Sequence, residues 1–442
     1  MGVRFWSLRV LLCLLITFTL ASCTPGVVPS YALYNWSNNA WPFVDGGVLD
    51  GSPPYFQNDS KTPAVENLNN QLYLVSVGGS PGGINTYLYN GQNYQPYWNY
   101  YGYFSPQSTP GNAATPSLSV FGSSLYAAWT ESNTGTDSGI NQIHAAFLNG
   151  NAWTSIDGAV ICGGTHCLNT SHLDNAVSPV MSTSNSNSTL NLLWCEIVGG
   201  AYQVVGLYTT NLGTNPTWNS IPTLNRNTGD SAFNPKDVPF GTKFYVAWAE
   251  NSAANSPPAQ IHVDSTSDDI TFTNVDGGLP TMSETGVAGA ATPFLAVNNG
   301  KIYVAWVGSY AGSVNRVRVA VYNGNDGSPS WAPVDNGIGL NFNSSLGAIT
   351  PMMVTATNNQ LYISWTESNS QLVTQVRVAV YNGNDGSPAW TFVDGGGLNG
   401  LNFNSSINSF APSLTNFNGN LYSAWEEFNS GGTDLSRVRF LF

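Results

Sequence analysis

Charge is what this chain has least of. Aspartate, glutamate, lysine and arginine make up only 8% of its 442 residues, against about a quarter in an ordinary soluble protein. Lys+Arg number 12 and His 4. So few bases exclude the positive patches that nucleic acids and anionic lipid surfaces require. Helical periodicity is missing too: no segment sustains an apolar repeat of 3.6 residues, so helices are few. A phosphate loop, a Gly-x-Ser-x-Gly elbow and a His-Glu-x-x-His helix are all lacking, which removes the commonest signatures of nucleotide hydrolysis, serine hydrolases and zinc proteases. In place of charge stand Asn, Ser, Thr, 46 glycines, 25 prolines and 12% aromatics. That composition makes a polar but weakly charged surface.

The N-terminus sets the compartment. Arg4 and Arg9 precede the apolar run Val10 to Leu20, which is too short to span a bilayer well. Leu20-Ala21-Ser22-Cys23 follows. A basic start, a short apolar core and small residues before a cleavage point describe a signal peptide. The four residues ending at Cys23 are similar to a bacterial lipobox, which implies a signal peptide over 1–22, acylation of Cys23 and a short tether over 23–30. The folded body is then 31–442, held at the cell envelope through the lipid alone, in the periplasm or on the surface. Loss of the two arginines takes the formal charge from −13 to −15.

Cysteine is scarce, at five. Cys13 leaves with the signal peptide and Cys23 carries the lipid. Cys162 and Cys167 enclose Gly163-Gly164-Thr165-His166, and a local disulfide suits an oxidising compartment. A zinc site with His166 and His172 is the alternative, lacking a clear fourth ligand. Cys195 lies in the apolar run Leu192-Leu193-Trp194-Cys195, as a buried inert thiol would.

Internal repetition organises the rest. Leu361-Tyr362-Ile363-Ser364-Trp365-Thr366-Glu367 matches Leu125-Tyr126-Ala127-Ala128-Trp129-Thr130-Glu131. Related segments end in Trp194-Cys195-Glu196, Trp248-Ala249-Glu250, Trp306-Val307-Gly308 and Trp425-Glu426-Glu427, and Leu72 to Ser76 is a weaker seventh. The copies are spaced 53 to 65 residues apart. A proline precedes each: Pro63, Pro116, Pro179, Pro235, Pro293, Pro351 and Pro412. Within the copy starting at Pro293, alternating runs predict strands near Phe294–Val297 (A), Lys301–Val307 (B), Arg316–Tyr322 (C) and Trp331–Val334 (D). Four short antiparallel strands repeated seven times predict an all-β, seven-bladed β-propeller. The last copy stops after its third strand, Arg437 to Phe442, while Trp41-Pro42-Phe43-Val44-Asp45 is an orphan D strand. Pairing the two completes blade seven and removes the open edge, so a monomer is expected.

Three recurring groups invite a functional reading. First, Glu131, Glu250, Glu367 and Glu427 are each followed by a base with nine to twelve residues between, His144, His262, Arg377 and Arg439. Cross-strand ion pairs over the B–C hairpin are the expected use. Second, Asp45, Asp157, Asp276, Asp335 and Asp394 end strand D, where turn chemistry accounts for them. A calcium site built from several would suit carboxylate oxygens, but no loop has a calcium spacing, so no cofactor is expected. Third, Leu340 to Ser345 and Leu401 to Ser406 repeat Leu-Asn-Phe-Asn-Ser-Ser. Asn341, Asn343, Asn402 and Asn404 are therefore candidates for a ligand face made by the D–A and B–C loops.

Asn-Asp-Gly-Ser-Pro-x-Trp, at Asp326 to Trp331 and Asp385 to Trp390, resembles the Asp-box turn of sialidase-like propellers. Ser328 and Ser387 stand where that family has glycine, and blade one has Asn93 ahead of Trp98. The resemblance implies an Asp that caps the C–D turn, a Trp that packs inward, and a structural role remote from catalysis. More broadly the chain resembles secreted bacterial propellers of sialidase-like and lectin-like type. A sialidase needs clustered arginines, yet five of the six in the mature chain fall in strand C and only Arg226 lies in a loop. The expected function is thus a binding or scaffolding module for glycans or an envelope protein, with a glycan-cleaving enzyme as the alternative. Blade three, with its cysteine loop, is the expected place for a unique site. If the lipobox reading holds, Cys23→Ser moves the protein from the membrane pellet to the soluble fraction, and unchanged sedimentation with the membrane refutes it.

Overall fold

The computed structural model describes residues 41–45, 60–78, 83–92, 96–106, 111–132, 138–158, 160–162, 165–184, 189–211, 216–251, 259–277, 279, 287–310, 314–396, 400–428 and 434–441. The predicted signal peptide, Cys23 and the tether lie outside them. Every regular element among these residues is a strand. Six sheets have four antiparallel strands in sequential order, and a seventh has three. In blade five the strands are Val287–Asn298, Lys301–Tyr310, Asn315–Tyr322 and Trp331–Pro333. They match the sequence reading apart from longer ends on A and B.

The ring closes as expected. Phe43 bridges Arg439 in antiparallel sense. The Val44 N–H donates to the Val438 carbonyl at 3.0 Å and that of Phe440 to the Pro42 carbonyl at 3.3 Å. The N-terminal segment is thus the fourth strand of blade seven. Each strand A also lies against strand A of the blades on either side, including blade seven against blade one. The seven A strands therefore surround the axis.

Apolar alternation explains the core. Strand B is buried along almost its whole length; Trp129, Trp194, Trp248, Trp306, Trp365 and Trp425 are its largest sealed side chains. A second set of tryptophans, at the start of strand D, ties blade to blade. The Trp331 indole donates to the Val275 carbonyl and that of Trp390 to Val334, each at 2.8 Å. Trp218 reaches Ile156 in the same way. At the seam Trp41 donates to Val393 and Trp98 to Val44, each at 2.7 Å. In these five cases the acceptor closes strand D of the preceding blade, so the ties cross the chain ends. In blade two Trp153 donates instead to the Thr86 hydroxyl on strand C of blade one, and blade four has Phe272 in place of the tryptophan.

The recurring prolines mark a backbone feature. The residue before each one, Thr62, Thr115, Ser178, Asn234, Thr292, Thr350 and Ala411, has φ between 41° and 56°. The A–B register shifts at the same place in all seven blades. This is a β-bulge, held in a region that non-glycine residues rarely occupy. Proline disfavours the ordinary helical conformation for its predecessor, and so helps to fix the bulge.

The closing strand carries much of blade seven's packing. Trp41 is buried and sits in a cluster with Tyr362, Val378, Leu414 and Trp425. Trp41→Ala should lower unfolding stability by about 3–5 kcal/mol, the range for a buried Trp→Ala change. Tyr97→Ala, at an exposed ring, should cost little by the same denaturant titration.

Candidate functional site

The recurring glutamates have a different use from the one expected. Cross-strand register sets Glu131 opposite Gln142, Glu250 opposite Gln260 and Glu367 opposite Gln375. The bases His144, His262 and Arg377 face the tryptophans Trp129, Trp248 and Trp365 instead. In blade seven the base opposite Trp425 is Arg437; Arg439 lies two residues further on, opposite Ser423. The Glu131–His144, Glu250–His262, Glu367–Arg377 and Glu427–Arg439 ladder pairs are therefore corrected. The face of the strand was right, but the register was two residues off in blades two, four and six and four residues off in blade seven.

Each glutamate instead holds a loop. Glu367 accepts the Trp365 indole N–H at 2.9 Å and the backbone N–H groups of Phe342 and Asn343 at 2.8 and 2.7 Å. Glu427 does the same with Trp425, Phe403 and Asn404, and Glu250 with Trp248, Arg226 and Asn227. Glu196 takes Trp194, Thr170 and Ser171. Burial raises the Glu131 and Glu367 carboxyls, against the pull of these hydrogen bonds.

The strand C bases pair with the strand D aspartates. His144 Nδ1 lies 2.8 Å from Asp157, Arg377 is 3.2 Å from Asp394, and Arg437 is 3.4 Å from Asp45. Arg318 pairs with Asp335. Three of these aspartates, read as turn residues, also accept backbone N–H groups of strand C: Asp157 from Ala145 at 2.7 Å, Asp335 from Val319 at 3.1 Å and Asp394 from Val378 at 3.4 Å. Arg439 lies over the Phe43 ring at 3.7 Å and helps to seat the closing strand.

The asparagine ligand face is likewise engaged within the fold. Asn341 Oδ1 accepts Val317 N–H, and its Nδ2 donates to the Asn315 and Leu346 carbonyls. Asn402 repeats this with Val376, Thr374 and Ile407. Asn169 and Asn225 make equivalent bonds in earlier blades. Asn343 and Asn404 cap their own turns through Ser345 and Ser406. All four are loop-forming residues.

The Asp-box-like turns depart from the implied geometry. Asn323 and Asn325 cap the turn through Asn325 and Gly327 N–H groups. Asp326 reaches out of it, to Tyr322 at 2.8 Å, Ser265 at 2.6 Å, and Lys243 of the preceding blade. Asp385 binds Tyr381, Tyr303 and Lys301 in the same manner.

Cys167 is buried and disulfide-bonded, which removes it from the zinc alternative. The Cys162 side chain lies outside the described residues. Their strands, Val160–Cys162 and Thr165–Cys167, form a separate hairpin between blades two and three. Cys195 is fully buried and its thiol is pushed up to about 12 by burial, as an inert thiol should be.

With the repeated groups accounted for, a departure from the repeat stands out among the described residues of blade four. Arg226, on the loop entering blade four, binds Asp264 through two hydrogen bonds of 2.9 and 2.6 Å and Asp276 at 3.1 Å. It also lies over the Trp248 ring at 5.0 Å. His262 Nδ1 meets Asp276 at 2.7 Å. In blades six and seven the order is reversed: the strand C arginine stacks on a loop phenylalanine, Arg377 on Phe342 and Arg437 on Phe403. Elsewhere the base–Asp pair is sealed, with side chains between 0% and 8% exposed. In blade four His262, Asp276 and Arg226 are 16%, 19% and 27% exposed. Burial draws the Asp276 carboxyl upward, but the His262 hydrogen bond and the Arg226 charge outweigh it and leave the group below its ordinary value.

Blade four is also distinct at the axis. Its strand A carries Lys236 and Asp237, where the other blades have Ala64-Val65, Ser117-Leu118, Val180-Met181, Phe294-Leu295, Met352-Met353 and Ser413-Leu414. Asp237 accepts the Ser182 hydroxyl of blade three at 2.9 Å. Burial raises its carboxyl to about 7, against that hydrogen bond and Lys236, and lowers the Lys236 ammonium. Glu66, on strand A of blade one, is raised to about 7 by burial, against a bond from Asn67 N–H. Both carboxyls can hold or release a proton near neutrality, as acid–base groups do.

No protein-family model and no curated protein sequence matches the chain. Several solved structures resemble it at low identity. A protein of unknown function from Dyadobacter fermentans is 11% identical over 74% of this chain and 94% of its own, with a TM-score of 0.48. An α-L-arabinanase from Penicillium chrysogenum, complexed with arabinobiose, is 13% identical over 74% and 92%, with a TM-score of 0.49. The Trypanosoma rangeli sialidase, in complex with the inhibitor DANA, is 12% identical, with a TM-score of 0.47. The match covers 90% of this chain and 59% of that one.

The axis pair gives a pH signature. The folded Asp237 carboxyl keeps its proton to about 7, against 3.8 when unpaired. Its contribution to stability is complete below the lower value and lost as pH rises through the upper. Asp237→Asn should therefore flatten the decline in unfolding stability between roughly pH 4 and pH 7. Parallel declines in variant and parent, by denaturant titration across that range, would show that Asp237 ionises normally.

Proposed function

We propose that the protein is a lipid-anchored, extracytoplasmic propeller that binds a glycan through the open cluster of blade four. The supporting observation is the contrast between that cluster and its sealed counterparts in the other blades. Arg226, His262 and Asp276 sit at the end of the blade where the D–A and B–C loops emerge. A guanidinium, an imidazole and a carboxylate at solvent can donate to and accept from vicinal hydroxyls, which have both capacities. Asp264 and Asp276 offset the Arg226 charge, so a neutral or weakly charged sugar is favoured over a polyanion.

A second reading, a glycan-cleaving enzyme on the same scaffold, is favoured by Glu66 and Asp237. Glycoside hydrolysis uses two carboxyls, one of them protonated at working pH, and both groups lie on strands around the axis. Under either reading the sevenfold pattern is framework and the chemistry belongs to single blades.

A glycan array probed with the mature chain tests the proposal. Saturable binding to one glycan class is expected, weakened tenfold or more by His262→Gln and Arg226→Lys with the melting temperature retained. No binding to any glycan would redirect the search to protein partners. Cleavage of the bound glycan, abolished by Asp237→Asn while binding persists, would select the enzyme.

A further inference from the structure

On the opposite face, where the A–B and C–D turns lie, a hollow of about 440 Å³ opens beneath blade five. Its volume falls in the range of small-molecule sites. Phe240 arrives from blade four, Ile302, Trp331 and Ala332 from blade five, and Asp385 from the C–D turn of blade six. Trp331 is buried and its indole is anchored on the Val275 carbonyl, so that wall is rigid.

The polar rim is arranged in an unusual way. Asp385 accepts Tyr303 at 3.0 Å, Tyr381 at 2.9 Å and the Lys301 ammonium. The carboxylate is therefore fixed and its charge offset. Lys301 is 52% exposed, and an ammonium has three donors, so N–H groups remain for a ligand. The corresponding site under blade four has Ser265 donating to Asp326. Blade five has the apolar Val321 at that register position, opposite Tyr303 as Ser265 is opposite Tyr245. The result is a hollow with an apolar wall and a donor on the rim, and without net charge.

We propose that this hollow binds a single uncharged sugar ring of hexose size. Its C–H face packs on Phe240 and Ala332, and one hydroxyl accepts from Lys301. Asp385 already offsets the Lys301 charge and would repel an anion on the same rim, so a neutral ligand is favoured over an anionic one. The site is separate from the blade four cluster and does not depend on it.

The full chain in detergent micelles is titrated with the methyl glycosides of glucose, galactose, mannose and N-acetylglucosamine, followed by saturation-transfer NMR. At least one should bind with a Kd of about 1–10 mM, typical of few contacts. Ala332→Trp, which fills the hollow from an exposed position, and Lys301→Met should each weaken it tenfold or more. Both should keep the parent's melting temperature. His262→Gln, in the blade four cluster, should leave this binding unchanged. The proposal is overturned if none of the four binds, if Ala332→Trp binds like the parent, or if glucuronate binds more tightly than the neutral glucoside.

Discussion

The structure depends on a buried carboxylate that holds a loop. In four blades a strand B glutamate takes its own tryptophan's indole N–H together with two successive backbone N–H groups of the arriving D–A loop. Those amides belong to no ladder, and left bare they would each carry a desolvation cost of about 1–3 kcal/mol. The asparagine just before them bonds the strand C edge of the previous blade. One loop is thus sewn to two blades, and the angle between them follows.

That arrangement explains the low charge of the chain. A buried carboxylate is tolerable when several N–H groups converge on it, and a buried guanidinium when an aspartate lies beside it. The propeller places one such set in most blades, and the remaining surface is covered by amides and hydroxyls. Repetition also defines what is anomalous. Blade four has His262 on strand C, as blade two has His144, and is distinct in bringing Arg226 in from the loop. It also sets Lys236 and Asp237 where its neighbours carry apolar or neutral residues. Neither change is required by the ring, because six other blades close without it.

The blade count, the strand order and the closing strand were legible because they rest on period and alternation, which the sequence displays directly. The orphan Trp41-Pro42-Phe43-Val44-Asp45 could be assigned since its siblings Trp331 to Asp335 and Trp390 to Asp394 occur in full blades. Register was not legible. Glu367 and Trp365 lie on the same face of strand B, so alternation allows Arg377 to oppose either one. In blade seven Arg437 and Arg439 also share a face, and counting along the chain chose the wrong one. The asparagines misled for a related reason: Asn341 looks like a solvated loop residue until the unpaired edge it binds, Val317 N–H, is known. The opening of blade four was hidden as well, since its residues resemble those of its neighbours and only their exposure differs.

Closure shows why the ends of this chain behave as its middle does. A full blade pairs its strand C base with a strand D aspartate; at the seam Arg437 meets Asp45 across the two termini. Blades three, five and six send a strand D indole to the end of strand D in the preceding blade; at the seam Trp41 reaches Val393 and Trp98 reaches Val44. There the Arg437–Asp45 and Trp41–Val393 contacts join segments 392 and 352 residues apart. Nearest-neighbour terms then carry the stability around the whole circle, as in other repeat architectures. Loop-closure entropy grows only slowly with length, so joining the ends costs little more than joining adjacent blades, and the gain is a sheet assembly without an open edge.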